Sequence, residues 1–362
     1  MCGNARPERI GTLGYNRTVT AGFATAEGTA RFAARFSVPE ARGFYREAQA
    51  LRVSNLGLGT YLGDADERTD AGYREAAGAA VRGGINLLDT AINYRHQRSE
   101  RSIGAALEKL FESGEARRDE LIVATKAAFL TPGAVPSFLR EQDVVGRMHA
   151  MTPDFLEDQI DRSRANLGIE TLDVFYLHNP ETQLGFVGRE EFEERMRAAF
   201  ERLEKLVAAG KIRYYGTATW EGYRKPKTAR DGLDLERLAA MAQETAGSAH
   251  HFRFIQLPLN LAMPEAFTNG VLEEAERAGI TVVASASLLQ ARLSRDLPEA
   301  LAEKIPGFGT DAQRAIQFTR STPGITVALV GMSRGLHVAE NLAVAEVKPL
   351  EPQAYRDLYQ NA

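Results

Sequence analysis

Apolar and β-branched residues gather in eight short runs along the chain, at 53–60, 85–89, 121–126, 172–178, 212–217, 252–257, 280–285 and 327–331. Most of these runs are continuous instead of alternating, which suits strands buried on both faces. Between them lie stretches with apolar positions at helical spacing, at 70–82, 99–111, 153–167, 190–209, 235–244, 271–278, 311–322 and 336–345. Gly83, Gly84, Gly168, Gly210 and Gly279 follow several of these stretches, as glycines that close helices do. Thr152 and Asp154 suit the start of the third helix, and Pro153 suits its first position.

Strands that alternate with helices predict a parallel sheet with right-handed crossovers. Eight such units predict a closed (β/α)8 TIM barrel, and a chain of 362 residues accommodates one with an extension. An open doubly wound sheet is the competing architecture. Its dinucleotide signature, G-x-G-x-x-G on the first strand-to-helix turn, is absent, because GLGTYLG has one residue too many between Gly59 and Gly63. Residues 1–42 break the rhythm, with scattered Gly, Thr and Arg and one helical stretch at 27–36. The expected organisation is an N-terminal extension over 1–42, packed on the body or wrapped around a neighbour, followed by a single barrel domain over 43–362.

Composition narrows the compartment and the partners. Lys and Arg number 44 against 48 Asp and Glu, a net charge of −4, which points away from a broad nucleic-acid surface. Cys2 is the only cysteine, so no internal disulfide forms and a reducing cytoplasm is the expected location. The first residues carry no apolar core of signal-peptide length and no glycine directly after Met1 for myristoylation. No apolar run approaches the length of a membrane span. A cytoplasmic protein is expected, and its oligomeric state is open.

In a (β/α)8 barrel the reactive groups sit at the C-terminal ends of strands and on the loops that follow. GINLLDTAINYR ends its apolar part at Asp89 and carries Tyr94 just beyond. LIVATK ends at Lys126 and LDVFYLH at His178, so three ionisable groups from consecutive strands share one mouth. A charge buried alone is costly, so partners are expected among them. A tyrosine phenol has an ordinary pKa of about 10, and a nearby ammonium lowers it. A carboxylate holds that ammonium, and a neutral imidazole orients a carbonyl. The set suits a general acid that protonates a carbonyl oxygen while another agent delivers hydride. For any one of these residues alone, a rim ion pair is the plainer alternative. No metal site is expected, since His250 and His251 are adjacent, their side chains diverge, and they precede the sixth strand on the opposite, solvated face.

Several segments in this order resemble the aldo/keto reductase superfamily: LRVSNLGLGTY, GINLLDTAINY with SERSIGAAL, VATKA, DVFYLHNPE, GTATW, QLPLN, and VGMS followed by ENL. The likeness runs from about residue 51 to 341. It implies a catalytic tetrad of Asp89, Tyr94, Lys126 and His178, with Tyr94 the general acid/base, Lys126 its pKa modulator, Asp89 the partner of the lysine and His178 the carbonyl-orienting group. It implies NADP(H), or less often NAD(H), extended across the mouth without a Rossmann domain. By position, Gly59, Thr60 and Tyr61 would line the nicotinamide end and Gln256 would bond the carboxamide. Ser287 and Leu288 would sit by the pyrophosphate, with Arg292 as a charge partner. Gly331, Ser333, Arg334, Glu340 and Asn341 would hold the adenosine end, where a helix N-terminus suits a phosphate and Arg334 a 2′-phosphate.

Two departures stand out. The family's Ser-Asn pair after the fifth strand is Ala218-Thr219 here, and the aromatic residue after the seventh strand is Ser285. Tyr61 or Trp220 could supply the missing ring, or the cofactor could stay bound and cycle, or net carbonyl reduction could have been abandoned. Substrate choice is expected in the long loops at 127–151, 220–234 and 288–309, which hold Phe129, Trp220 and Tyr223 among several cations. The substrate expected is a small molecule, an aldehyde, ketone or sugar. The alternatives are a barrel isomerase, epimerase or lyase that uses Tyr94 and Lys126 for proton transfer, and a nucleotide-sensing subunit without catalysis.

Overall fold

The computed structural model describes residues 19–360. Strands β1 (Tyr45–Ala48) and β2 (Leu51–Ser54) form an antiparallel hairpin. The barrel strands are β3 (Leu56–Gly59), β4 (Leu87–Asp89) and β5 (Ile122–Ala127). After a small hairpin of β6 (Val144–Val145) and β7 (His149–Ala150) come β8 (Leu172–His178), β9 (Ile212–Ala218), β10 (Phe252–Pro258), β11 (Thr281–Ser285) and β12 (Val327–Gly331). The eight longer-range partners pair in parallel in chain order, and β12 closes on β3 through Ala328 opposite Leu56 and Gly331 opposite Gly59. This is the closed (β/α)8 barrel that the strand and helix rhythm predicts.

The first apolar run, 53–60, holds two elements instead of one. The chain bends at Ser54 and Asn55, where the Ser54 hydroxyl donates to the Leu56 carbonyl and Asn86 Oδ1 accepts from the Ser54 amide. Only the part after the bend joins the barrel. The part before it belongs to the hairpin, whose Ala48, Leu51 and Val53 pack with Leu87, Ile122, Phe254 and Val327 at the N-terminal end of the interior. Gln49 and Ala50 make its two-residue turn, both at positive φ, a turn type whose twist matches the flanking strands. The Gln49 side chain ties that turn to Gly279 and Thr281. The barrel therefore has a sealed floor, and its open end is the one where the strands terminate.

Residues 19–42 of the expected N-terminal extension lie on the same floor, and residues 1–18 of it fall outside the described residues. Helix Ala26–Ala34 is capped by Thr25, whose side chain accepts from the Gly28 amide. A Cβ on Gly28 would meet the Asp119 carbonyl oxygen at 2.2 Å, so this close approach requires glycine. Ahead of the helix, the Ala24 amide donates to Asp173 Oδ1 at 2.7 Å. The other carboxylate oxygen of Asp173 takes the Arg118 guanidinium at 2.7 Å and the Val123 amide at 2.8 Å, all within the core. His250, expected in solvent, is buried at the start of β10, where its amide turns back onto the Gly247 carbonyl of the preceding short helix, and His251 pairs with Glu204 of helix Arg189–Ala208 at 2.8 Å.

Removing one partner of a buried ion pair leaves the other charged and unpaired. Asp173→Ala is therefore expected to cost about 3–5 kcal/mol, read as a lowered urea midpoint. A loss below about 1 kcal/mol, the range of an exposed pair, would show that Arg118 finds compensation elsewhere.

Candidate active site

Parallel register sets the first contact. Gly59 pairs with Asp89, Asp89 with Ala124, and Lys126 with Tyr176, so the inward side chains at the strand ends form one ring. Within it Lys126 Nζ lies 2.5 Å from Asp89 Oδ1 and donates to the Thr90 carbonyl at 2.8 Å. Asp89 Oδ2 accepts from Gln256 Nε2 at 2.8 Å. Lys126 is fully buried and Asp89 nearly so. Burial pushes the carboxyl up and the ammonium down, and their mutual attraction opposes both shifts. A hydroxyl cluster fixes the turn behind them: Thr60 Oγ1 donates to the Asp89 carbonyl, and Ser99 bridges Thr60 and Thr90.

Tyr94 stands over this pair. Its ring centre is 4.9 Å from Lys126 Nζ, 5.8 Å from the His178 ring and 5.0 Å from the Tyr61 ring. The expected lowering of the phenol pKa by Lys126 is not met in this geometry. Burial pushes Tyr94 well above its ordinary value, and the charge of Asp89 and the neighbouring Tyr61 add to that. The physical reason is first the loss of water around the buried phenol and then the nearby Asp89 charge, which together outweigh the help of the lysine. Burial and the Lys126 charge hold His178 well below the usual imidazole range, so it is neutral.

Asp89, Tyr94, His178 and Tyr61 line a cavity of about 420 Å³ at the barrel mouth, with Lys126 behind its wall. Of the expected cofactor residues, Gly59, Thr60, Tyr61, Thr219, Gln256, Ser285, Ser287, Leu288 and Gly331 lie in its wall. Arg292, Ser333, Arg334, Glu340 and Asn341 lie outside the wall, on the loops after β11 and β12 and on helix Gly335–Leu342. Arg292 and Arg334 are exposed, whereas Asn341 is buried. The backbone oxygen of Glu340 accepts from Gln313. Gln256, assigned by position to a carboxamide, spends its amide nitrogen on Asp89. The Oγ atoms of Thr219 and Ser287 are buried without a hydrogen-bond partner.

Several contributors escaped the sequence reading. Tyr176 lies one layer below the mouth, beside Lys126, and its phenol is raised by burial and by Asp89. Glu100 is buried behind β5, accepting from Thr125 at 2.6 Å and from Asn166 at 2.8 Å. Glu181 accepts from the amides of Trp220, Glu221 and Gly222 and so holds the loop after β9. The segment 127–151 contains the β6–β7 hairpin, and Phe129 from it touches the His178 ring edge-on at 5.1 Å.

Residues 55–360 match the family described as the aldo/keto reductase family. The chain belongs to the aldo/keto reductase family. As a member it is an oxidoreductase of that type. It is 25% identical over 311 residues to the 6-dehydroglucose reductase of Novosphingobium aromaticivorans, covering 82% of this chain and 88% of that protein. It is 24% identical over 320 residues to a probable voltage-gated potassium channel subunit beta of Arabidopsis thaliana, covering 83% and 90%. An aldo/keto reductase from Klebsiella pneumoniae, solved with NADP and acetate, shares the fold at a TM-score of 0.63 and 22% identity, over 87% of this chain and 93% of that one.

The two charges of this family member are coupled through direct contact. Lys126→Met is expected to cost about 3–5 kcal/mol in stability, since it strands Asp89. Adding Asp89→Asn should restore part of the loss, with a coupling of roughly 0.5–3 kcal/mol. Denaturation of the four proteins checks this, and strictly additive losses would contradict the pairing.

Proposed function

We propose that the protein is an NADP(H)-dependent reductase, with NAD(H) the alternative cofactor, acting on an aldehyde, ketone or sugar carbonyl and on the matching alcohol in reverse. The observation that carries this reading is the arrangement of Tyr94 above the buried Asp89–Lys126 pair, with neutral His178 at its edge, in one cavity. The wall residues fit a nicotinamide dinucleotide. Thr219 and Ser287 belong to the wall and their hydroxyl oxygens are buried without a partner, and Gly59 and Gly331 leave the backbone open where a flat ring would approach. Tyr61 and Trp220, both exposed in the wall, are the aromatic surfaces available in place of the ring absent at Ser285.

The bound cofactor would supply hydride. The chain's own residues supply the proton and its control. With its pKa raised, Tyr94 holds its proton across neutral pH and donates it to the carbonyl oxygen as charge develops there. Lys126, close to the ring, then stabilises the phenolate that remains, and Asp89 keeps the lysine in place. Neutral His178 orients the carbonyl without competing for the proton.

No lysine or arginine among the described residues lines the cavity, although the surrounding loops are rich in them. Arg140 is paired with Asp143, Arg224 with Glu265, Lys225 with Asp231 and Lys227 with Glu274. A neutral carbonyl compound therefore fits better than a carboxylate or a phosphate ester. The likeness to a channel β subunit supports a second reading, nucleotide binding without turnover, which the same assay separates.

Titration with NADPH and NADH, followed by a panel of aldehydes, ketones and aldoses, tests the proposal. Tight binding with carbonyl-dependent oxidation is the expected result; binding without turnover supports the sensor, and neither would sink both. Tyr94→Phe should lower turnover roughly 10²–10⁴-fold while cofactor affinity stays within about two-fold. Reduction needs the protonated phenol, whose pKa lies above its ordinary value. The rate should therefore show no basic limb below about pH 9, and a loss centred near neutrality would show that another group donates.

A further inference from the structure

The segment between β5 and the next helix brings a second histidine against the catalytic strand ends. His149, on β7, is fully buried, and its Nε2 lies 2.9 Å from the carbonyl oxygen of His178. Its Nδ1 lies 2.7 Å from Gln183 Nε2. Gln183 Oε1 in turn faces the Arg195 guanidinium.

Donors and acceptors along this chain are determined one after another. A guanidinium only donates, so the Gln183 atom facing Arg195 is the oxygen, and the amide orientation is settled. The Gln183 NH2 then points at His149, and since it only donates, His149 Nδ1 accepts and carries no proton. The single proton of the neutral ring is left on Nε2, which donates to the His178 carbonyl. Phe129 stands between the two histidines, with its ring 5.0 Å from His149 and 5.1 Å from His178, nearly perpendicular to both. His178 Nδ1 is buried and has no hydrogen-bond partner among the described residues. The ring is therefore placed by its own backbone and by the aromatic rings on either side.

We propose that His149, held in its Nε2–H tautomer by Gln183 and Arg195, is a positioning residue that sets the backbone and ring of His178 at the barrel mouth. This rests on the proposed reading that His178 serves the reacting carbonyl. The titratable and charged groups around His149 are His178, in contact, Arg195 through Gln183, Glu191 paired to Arg195, and Lys126 and Tyr94 beyond His178. No carboxylate among the described residues hydrogen-bonds to the ring. Burial pushes its pKa down to about 4, so it stays neutral where the enzyme works.

Nitrogen NMR of the ¹⁵N-histidine-labelled protein reads the tautomer without any turnover. His149 should show a protonated Nε2 and a bare Nδ1, unchanged between about pH 6 and pH 8. Gln183→Glu replaces the donor by an acceptor and draws a proton onto Nδ1. The ring is then cationic at low pH with both bonds made. As pH rises it loses the Nε2 proton, and a lone pair faces the His178 carbonyl. The variant should gain a new fall in turnover with rising pH, roughly 10- to 100-fold, with cofactor affinity kept. Arg195→Met frees the Gln183 amide to turn over and should give mixed tautomers and a smaller loss, which keeps the test available if the first variant does not fold. An Nδ1–H ring or an imidazolium in the wild type sinks the proposal, as does a wild-type pH profile in Gln183→Glu, or a single Nε2–H tautomer with wild-type turnover in Arg195→Met. A wild type that binds cofactor but reduces no carbonyl would instead fail the functional reading.

Discussion

An ammonium and a carboxylate withdrawn from water at the end of two adjacent strands constrain everything around them. Neither Lys126 nor Asp89 tolerates that burial alone, and together they do so only with further hydrogen bonds. The Thr90 carbonyl takes a second ammonium proton, and Gln256, from the far side of the barrel, satisfies the second carboxylate oxygen. These contacts span β4, β5 and β10, so they require the barrel to be closed and its register kept. A buried pair of this kind adds little to stability over an apolar pair of similar volume. Its value lies in what stands above it. Tyr94 is buried against the lysine and feels the charge of Asp89, so the phenol is a firm proton holder in the resting protein.

The opposite end of the barrel explains why one face alone can carry chemistry. There the β1–β2 hairpin and the N-terminal helix close the interior with Ala48, Leu51 and Val53, and Asp173 collects Arg118 and two backbone amides. A sealed floor leaves the mouth as the one opening of the interior, and polar side chains can gather at the strand ends while the layers below stay apolar. Val174, Ala124, Leu87 and Val283 fill those layers, with Tyr176 as the polar exception directly under the tetrad.

Much of this was legible because the chemistry sits where strands stop. Asp89, Lys126 and His178 each end an apolar run, and parallel register then brings such ends together without knowledge of any side-chain rotamer. The barrel itself follows from the alternation of runs and helices. What could not be read depends on contacts between distant segments. The bend that divides residues 53–60 is made by Asn86, some thirty positions on, and local periodicity carries no trace of it. His250 looks like a solvated loop residue until its neighbours fold over it. The segment 127–151 reads as an irregular loop because two-residue strands such as β6 and β7 leave no periodic signal. Nor does a sequence tell that burial of a phenol will outweigh a nearby lysine's charge, since that turns on how the surrounding segments close over the ring.

The same distinction bears on the departures after β9 and β11. By the resemblance, Ala218 and Ser285 stand where a hydroxyl and a ring were expected, and both lie in the cavity wall. A ring at Ser285 would come from a strand end, where the backbone is held by pairing on both sides. Tyr61 and Trp220 come from loops, and their placement must be supplied by other contacts. For Tyr61 that contact is the Tyr94 ring, edge-on at 5.0 Å. For Trp220 it is Glu181, whose carboxylate gathers three successive amides of the loop. Relocating an aromatic surface from strand to loop therefore transfers its control to residues of the catalytic side. On the proposed reading, cofactor handling and substrate fit in this chain share the same supports, so a change at Glu181 or Tyr61 would be felt by both.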